Sequence, residues 1–234
     1  MAAFYYKRVT ILLLLTLGWL GASHSQDNTR SVEESAVGIF GNKKLSLDRQ
    51  LEGLKQCGIE INNGVSSQDL LIFHSKEEME EAPYKALIEI LGYEIERAPY
   101  SPISNKLWMC DYERIEDHGA YKDVIERLEL MTGNALSLEN ITDYVDVEEG
   151  KAWVEFLYKE KKIHWDAEVD NDWLDPYILV KYDQLLKASG KGVRIYSNHT
   201  DYGQVAFFGA FSDAECRCFS KLSKVTLILL EKQT

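Results

Sequence analysis

Four aspartates, one glutamate and one histidine fall within the fourteen residues "IHWDAEVDNDWLDP" (163–176), with Trp165 and Trp173 among them. Carboxylates and imidazoles ligate metals and move protons, and carboxylates beside aromatic rings also make surfaces that take cations. Strand alternation decides which of them share a face. It sends Ile163, Trp165, Ala167 and Val169 one way and His164, Asp166, Glu168 and Asp170 the other. The apolar set goes inward. The preceding run "KAWVEFLY" (151–158) alternates likewise, with Ala152, Val154, Phe156 and Tyr158 inward and Trp153, Glu155 and Leu157 on the face shared with the acids.

Three chemistries compete for this stretch. A calcium site meets a geometric obstacle, because side chains two apart on a strand stand about 7 Å from each other and four in a line do not converge on one ion. An EF-hand loop counted from Asp166 has Asn171 at the sixth position, where glycine belongs, and Tyr177 at the twelfth, where glutamate belongs. That leaves Asp170, Asp172 and Asp175 at the strand-to-helix corner as a weak calcium candidate, and Asp175 also suits a helix cap ahead of Pro176. A metal-dependent or acid/base hydrolase would use His164 with its neighbouring carboxylates, or His199 and Asp201 in "NHTDYG", but no nucleophile elbow, zinc-protease or phosphate-loop motif accompanies them. His74 and His118 read as surface or capping residues. Recognition is the reading the composition favours: Trp153, Glu155, His164, Asp166, Glu168 and Asp170 would offer an aromatic anchor with a negative rim to a basic protein or cationic ligand. No catalytic residue and no cofactor is assigned.

The elements that would carry this face can be read from pattern and punctuation. "NITDYVDV", "KAWVEFLY" and "KIHWDAEV" are separated by "EEG" and "KEK", as in an antiparallel meander. Asp175 and Pro176 open a helix that buries Ile178, Leu179, Tyr182, Leu185 and Leu186. "VRIYS" and "QVAFFGA" form a strand pair, Ser212 and Glu215 a capping box, and "TLILL" a terminal strand. Upstream, "NKLWMCDYE" alternates as a strand, and Ser46, Ser66 or Ser67, and Ser75 with Glu78 open short helices. Pro83 suits the first turn of the next helix, and Asp117 is a cap candidate for the one near residue 120. Two octets, "YKALIEIL" (84–91) and "YKDVIERL" (121–128), agree at five positions and put Tyr, the residue three on, Ile and the last Leu on one helix face. They read as two helices solving one packing problem, not as a repeat. The fold class is α+β: a helical lobe over 45–104 packed with a mixed, mainly antiparallel sheet domain over 105–234, with 45–234 one folding unit.

The N-terminus "MAAFYYKRVTILLLLTLGWLGASHSQ" has the layout of a secretory signal peptide over residues 1–25, followed by a leader over 26–44. The apolar run of fourteen residues from Val9 to Ala22 is shorter than the ~20 that span a bilayer, so export to a periplasm or beyond is expected, with no membrane insertion after cleavage. Losing Lys7 and Arg8 would move the formal charge from -12 to -14. So acidic a surface repels phosphate backbones and anionic headgroups and excludes nucleic acid as a natural partner. Of the four cysteines, Cys216 and Cys218 lie two apart on a helix and do not bridge each other, and Cys218 reads as a small core residue; a disulfide through Cys57 or Cys110 stays open.

The phrases "IEDHGAYKDVIERL", "DYVDVEEGKAWVEF" and "HWDAEVDNDWLDPYIL", with "LKQCGIEINNGVSSQDLL" and "EAPYKALIEILG" upstream, resemble a group of bacterial proteins of no known activity that string them in this order. The resemblance implies a bacterial source and one unit over the mature chain, and transfers no functional residue. In charge and layout the chain is also similar to the small acidic α+β immunity proteins of toxin systems.

Overall fold

The structure, a computed structural model, describes residues 44–198 and 204–230. The expected signal peptide, the leader up to residue 43, and His199 and Asp201 lie outside the described residues. The described residues form one compact unit.

The chain runs through four helices, α1 (Leu47–Gln56), α2 (Ser67–Leu70), α3 (Lys76–Glu81) and α4 (Lys85–Leu91), to strand β1 (Leu107–Asp111) and helix α5 (Ala120–Met131). The meander follows as β2 (Glu139–Asp146), β3 (Lys151–Tyr158) and β4 (Lys161–Ala167). Helix α6 (Pro176–Ser189), strands β5 (Arg194–Asn198) and β6 (Val205–Phe211), helix α7 (Asp213–Ser223) and the short β7 (Ile228–Leu229) complete it. The α+β class expected from the sequence is the one observed. Its strands divide into two antiparallel sheets, ordered β1-β6-β5-β7 and β2-β3-β4.

Apolar patterning accounts for the division. The strand β6, "VAFFGAF", is apolar at every position, which suits a strand buried on both faces. Phe207 and Phe211 of β6, Leu107 of β1 and Tyr196 of β5 join the core of the helical lobe, while Trp108, Cys110, Ile195, Ala206, Phe208 and Ala210 join a second core built on α5 and α6. The meander has one apolar face only. Val145, Ala152, Val154 and Phe156 enter that second core, Ile163 and Trp165 pack against it, and Trp165 meets Phe156 edge to face at 4.8 Å.

The two related octets do the same work in different cores. Tyr84, Leu87, Ile88 and Leu91 are buried in the lobe, and Tyr121, Val124, Ile125 and Leu128 in the second core. The capping boxes at Ser66, Ser75 and Ser212 form, as does the Asp175–Pro176 start of α6. Three expected helix starts are corrected. Ser46 makes no side-chain cap; Glu80 Oε1 instead accepts from the Leu47 N–H at 3.2 Å. Pro83 precedes α4, whose cap is Tyr84 with φ of 71°. Asp117 does not cap α5 either. That task falls to Asp143, whose carboxylate accepts from the N–H groups of Gly119 (2.8 Å), Tyr121 (2.9 Å) and Lys122 (3.3 Å). A residue on β2 thus closes a helix more than twenty positions upstream.

Buried polar groups tie the layers together. Gln50 in α1 donates to Leu45 O and Met79 O, both at 2.8 Å, and accepts from Tyr84 N–H, which fixes α1 against α3 and α4. Tyr182 of α6 donates to Glu129 of α5 at 2.6 Å, and burial raises its phenol above the ordinary value. The fully buried Asp183 accepts from Arg194 Nε and from the Ile195 N–H, both at 2.9 Å, locking α6 to β5. Gly92 lets the lobe reach the sheet: Met109 N–H donates to its carbonyl at 2.8 Å, and a Cβ there would lie 2.9 Å from Met109 N.

Cys218 is corrected as well. It is cross-linked to Cys57, with Cα atoms 5.3 Å apart and 161 residues between them, so the end of α1 is stapled to α7. Cross-links of this kind contribute about 2–4 kcal/mol, chiefly by restricting the unfolded chain. Cys110 and Cys216 are free; burial pushes the Cys110 thiol up to about 12, so it stays protonated.

Two outcomes test these local arguments by urea denaturation. Asp143→Ala, which orphans the first amides of α5, should lower stability by about 1–2 kcal/mol. The two-residue loop joining β3 and β4 holds Lys159 and Glu160 at φ of 51° and 62°, a turn that favours Asn-Gly. The double change K159N/E160G should therefore raise stability by roughly 1 kcal/mol.

Candidate functional site

The outer face of the meander is set by register. Tyr144 of β2 stands opposite Trp153 of β3, Trp153 opposite Asp166 of β4, and Glu155 opposite His164. Because Asp143 points inward to cap α5, its neighbour Tyr144 points outward. His118, just ahead of α5, reaches the same edge: its Nδ1 accepts from the Val145 N–H at 3.3 Å and its ring lies 4.8 Å from that of Tyr144. Four rings then cross the sheet in sequence. Tyr144 and Trp153 stack at 6.0 Å with 14° between planes, and Trp153 lies 5.4 Å from His164.

Charged groups surround the row. His164 Nδ1 is 2.8 Å from Glu155 Oε2 and its Nε2 is 3.1 Å from Asp166 Oδ1, so one imidazole spans two carboxylates. Lys162 Nζ holds the other Glu155 oxygen at 2.9 Å. The Glu155 carboxyl is held below its ordinary value by Lys162 first and His164 second; the His164 imidazole is raised by its bonds to Glu155 and then Asp166. At the other end Tyr144 donates to Asp146 at 3.4 Å, and its hydroxyl is raised by desolvation first, then by Asp146 and Glu149. Lys151 Nζ sits 5.6 Å over the Tyr144 ring, an ammonium already on an aromatic face.

Of the residues singled out in the sequence, Trp153, Glu155, His164 and Asp166 come together here. Leu157, opposite Lys162, lies on the same face beyond them. Glu168 and Asp170 do not join the row, because β4 ends at Ala167 and the chain turns to meet α6. There Glu168 N–H donates to Asp175 Oδ2 at 3.0 Å and the Trp173 N–H donates to Asp170 O at 3.0 Å. Asp172 O accepts from the N–H groups of Arg114 and Ile115, and Asp175 Oδ1 from that of Tyr177 at 2.8 Å. The corner acids serve as backbone clasps and a cap. Among the described residues no group of three or more His, Cys, Asp or Glu could hold a metal ion, so Asp170, Asp172 and Asp175 do not converge. His164 has each ring nitrogen against a carboxylate, which leaves neither directed at a serine, threonine or cysteine. His74 forms a surface pair with Glu89 at 4.0 Å.

Tyr144, Lys151 and Lys162 escaped the sequence reading, and His118, read there as a surface or capping residue, joins the row instead. Alternation in "NITDYVDV" together with the short "EEG" turn carries enough to align Tyr144 with Trp153. Nothing local signals His118, which arrives from the loop before α5. No protein-family model, curated protein or solved structure matches the chain.

The clamp on His164 has a measurable consequence. A raised value means that the clamp stabilises the fold below the unperturbed pH of about 6.5 and that this contribution is lost as pH rises through the raised value. In an NMR titration His164 should have a midpoint above that of a free imidazole, and E155Q should lower it. An unchanged midpoint in the variant would show that Glu155 does not hold the proton.

Proposed function

We propose that this is an exported, non-enzymatic binding protein whose outer meander face takes a basic protein segment, with Lys or Arg side chains laid over Tyr144 and Trp153 and paired to Asp146, Glu155 and Asp166. The observation that carries the reading is the cross-strand row of rings rimmed by carboxylates, on which Lys151 already occupies the Tyr144 face. Flat, rigid rings supply contact area at little entropic loss, and carboxylates around them select for cations. The formal charge of -12 supports a basic partner through long-range attraction and disfavours nucleic acid and anionic membranes. The N-terminal layout of residues 1–25 and the Cys57–Cys218 disulfide support a periplasmic or secreted location, where thiols oxidise. The resemblance to bacterial proteins supports a bacterial source.

Calorimetric titration with an arginine-rich peptide and with a glutamate-rich peptide of equal length tests the reading. The wild type should bind the basic peptide only, and W153A or D166N should weaken it about tenfold or more, with an unchanged circular dichroism spectrum. No preference for the basic peptide, or full affinity in W153A, would overturn it.

A further inference from the structure

His164 occupies the centre of the proposed face in a way that bears on when the face is available. A neutral imidazole has one N–H and one lone pair, so it can donate to only one of two flanking carboxylates. With a Glu155 oxygen 2.8 Å from Nδ1 and an Asp166 oxygen 3.1 Å from Nε2, only a ring that carries both protons, an imidazolium, donates to both carboxylates. Among the described residues, charged and titratable groups face it from three sides. Glu155 approaches from β3; Lys162 and Asp166 flank it on β4; Tyr144, Asp146 and Lys151 lie beyond Trp153; and Lys181 of α6 donates to the Asp166 carbonyl at 2.8 Å. Lys162 holds one oxygen of Glu155, and His164 holds the other. The histidine is therefore the built-in cation on the two carboxylates that a partner's cation would have to reach.

We propose that the face is proton-gated: the His164 imidazolium acts as an internal competitor for Glu155 and Asp166, and a basic segment binds as that proton leaves. The inference rests on the binding reading above and adds its regulation. Glu155, held below the ordinary carboxylate range by Lys162 and His164, stays ionised across the pH interval in which an imidazole titrates, so the histidine is the group that changes. Because the free face favours the protonated ring, displacement is hardest in acid. Each proton released on binding makes the affinity rise by up to about tenfold per pH unit below the histidine's midpoint.

The experiment is calorimetry of the full chain with an arginine-rich peptide, whose own charge is constant, at pH 5.5 and 8.0 and in buffers of different ionisation enthalpy. The wild type should bind about tenfold or more tightly at pH 8.0 and release up to one proton at pH values below the His164 midpoint. H164Q, which keeps a polar side chain without a titrating charge, should bind with the same affinity at both pH values and release none, while H74Q, at the Glu89 surface pair in the helical lobe, should behave as the wild type. Binding that is independent of pH, or that keeps its pH dependence in H164Q, would overturn the gate and leave the binding reading standing. Absence of binding at both pH values in the wild type would overturn both.

Discussion

A sheet that is apolar on both faces must be covered on both, and that constraint organises the molecule. Strands β1, β5 and β6 send alternate residues into two separate cores, one closed by the helical lobe with α7 and the other by α5, α6 and the meander. The lobe and the meander differ accordingly. The lobe is wrapped around apolar side chains contributed from both ends of the chain, Phe219 among them, and the disulfide staples that wrapping. The meander is an outer layer whose strands carry apolar residues on one side only, so its second side is left for other work.

Asp143 and Tyr144 show how the inner task fixes the outer one. The carboxylate of Asp143 must meet the exposed amides at the start of α5, which sets the height and rotation of β2 against the helix. Strand geometry then leaves Tyr144 no choice of side, and the turn to β3 brings Trp153 beside it. The same helix start carries His118 to the end of the row. Ring spacing on the open face is in this sense a consequence of a cap on the buried face. Glu155 and His164 add a second layer of control: the cross-strand pair lies next to Trp153, so charge and aromatic surface are held in one rigid register.

Much of this was legible in the sequence because it rests on local rules. The α+β class, the meander, the helix starts at Ser66, Ser75, Ser212 and Asp175, and the common face of Trp153, Glu155, His164 and Asp166 follow from alternation, spacing and capping chemistry. Other features depended on residues distant in the chain. Asp117 looks as good a cap as any until Asp143 arrives from β2. Cys218 looks like a small core residue until α1 packs on α7 and brings Cys57 to it. Glu168 and Asp170 continue the alternation on paper, but the hydrogen bonds of the Asp175 cap pull the chain out of the strand after Ala167.

By itself the sequence determined which side chains share a face, since periodicities of 2.0 and 3.6 are properties of the backbone and need no partner. Only the tertiary structure decided which faces meet: two sheets instead of one, a disulfide across 161 residues, and four rings drawn from three strands and a loop. Those outcomes depend on which surfaces bury against each other, and burial is a property of the whole folded chain.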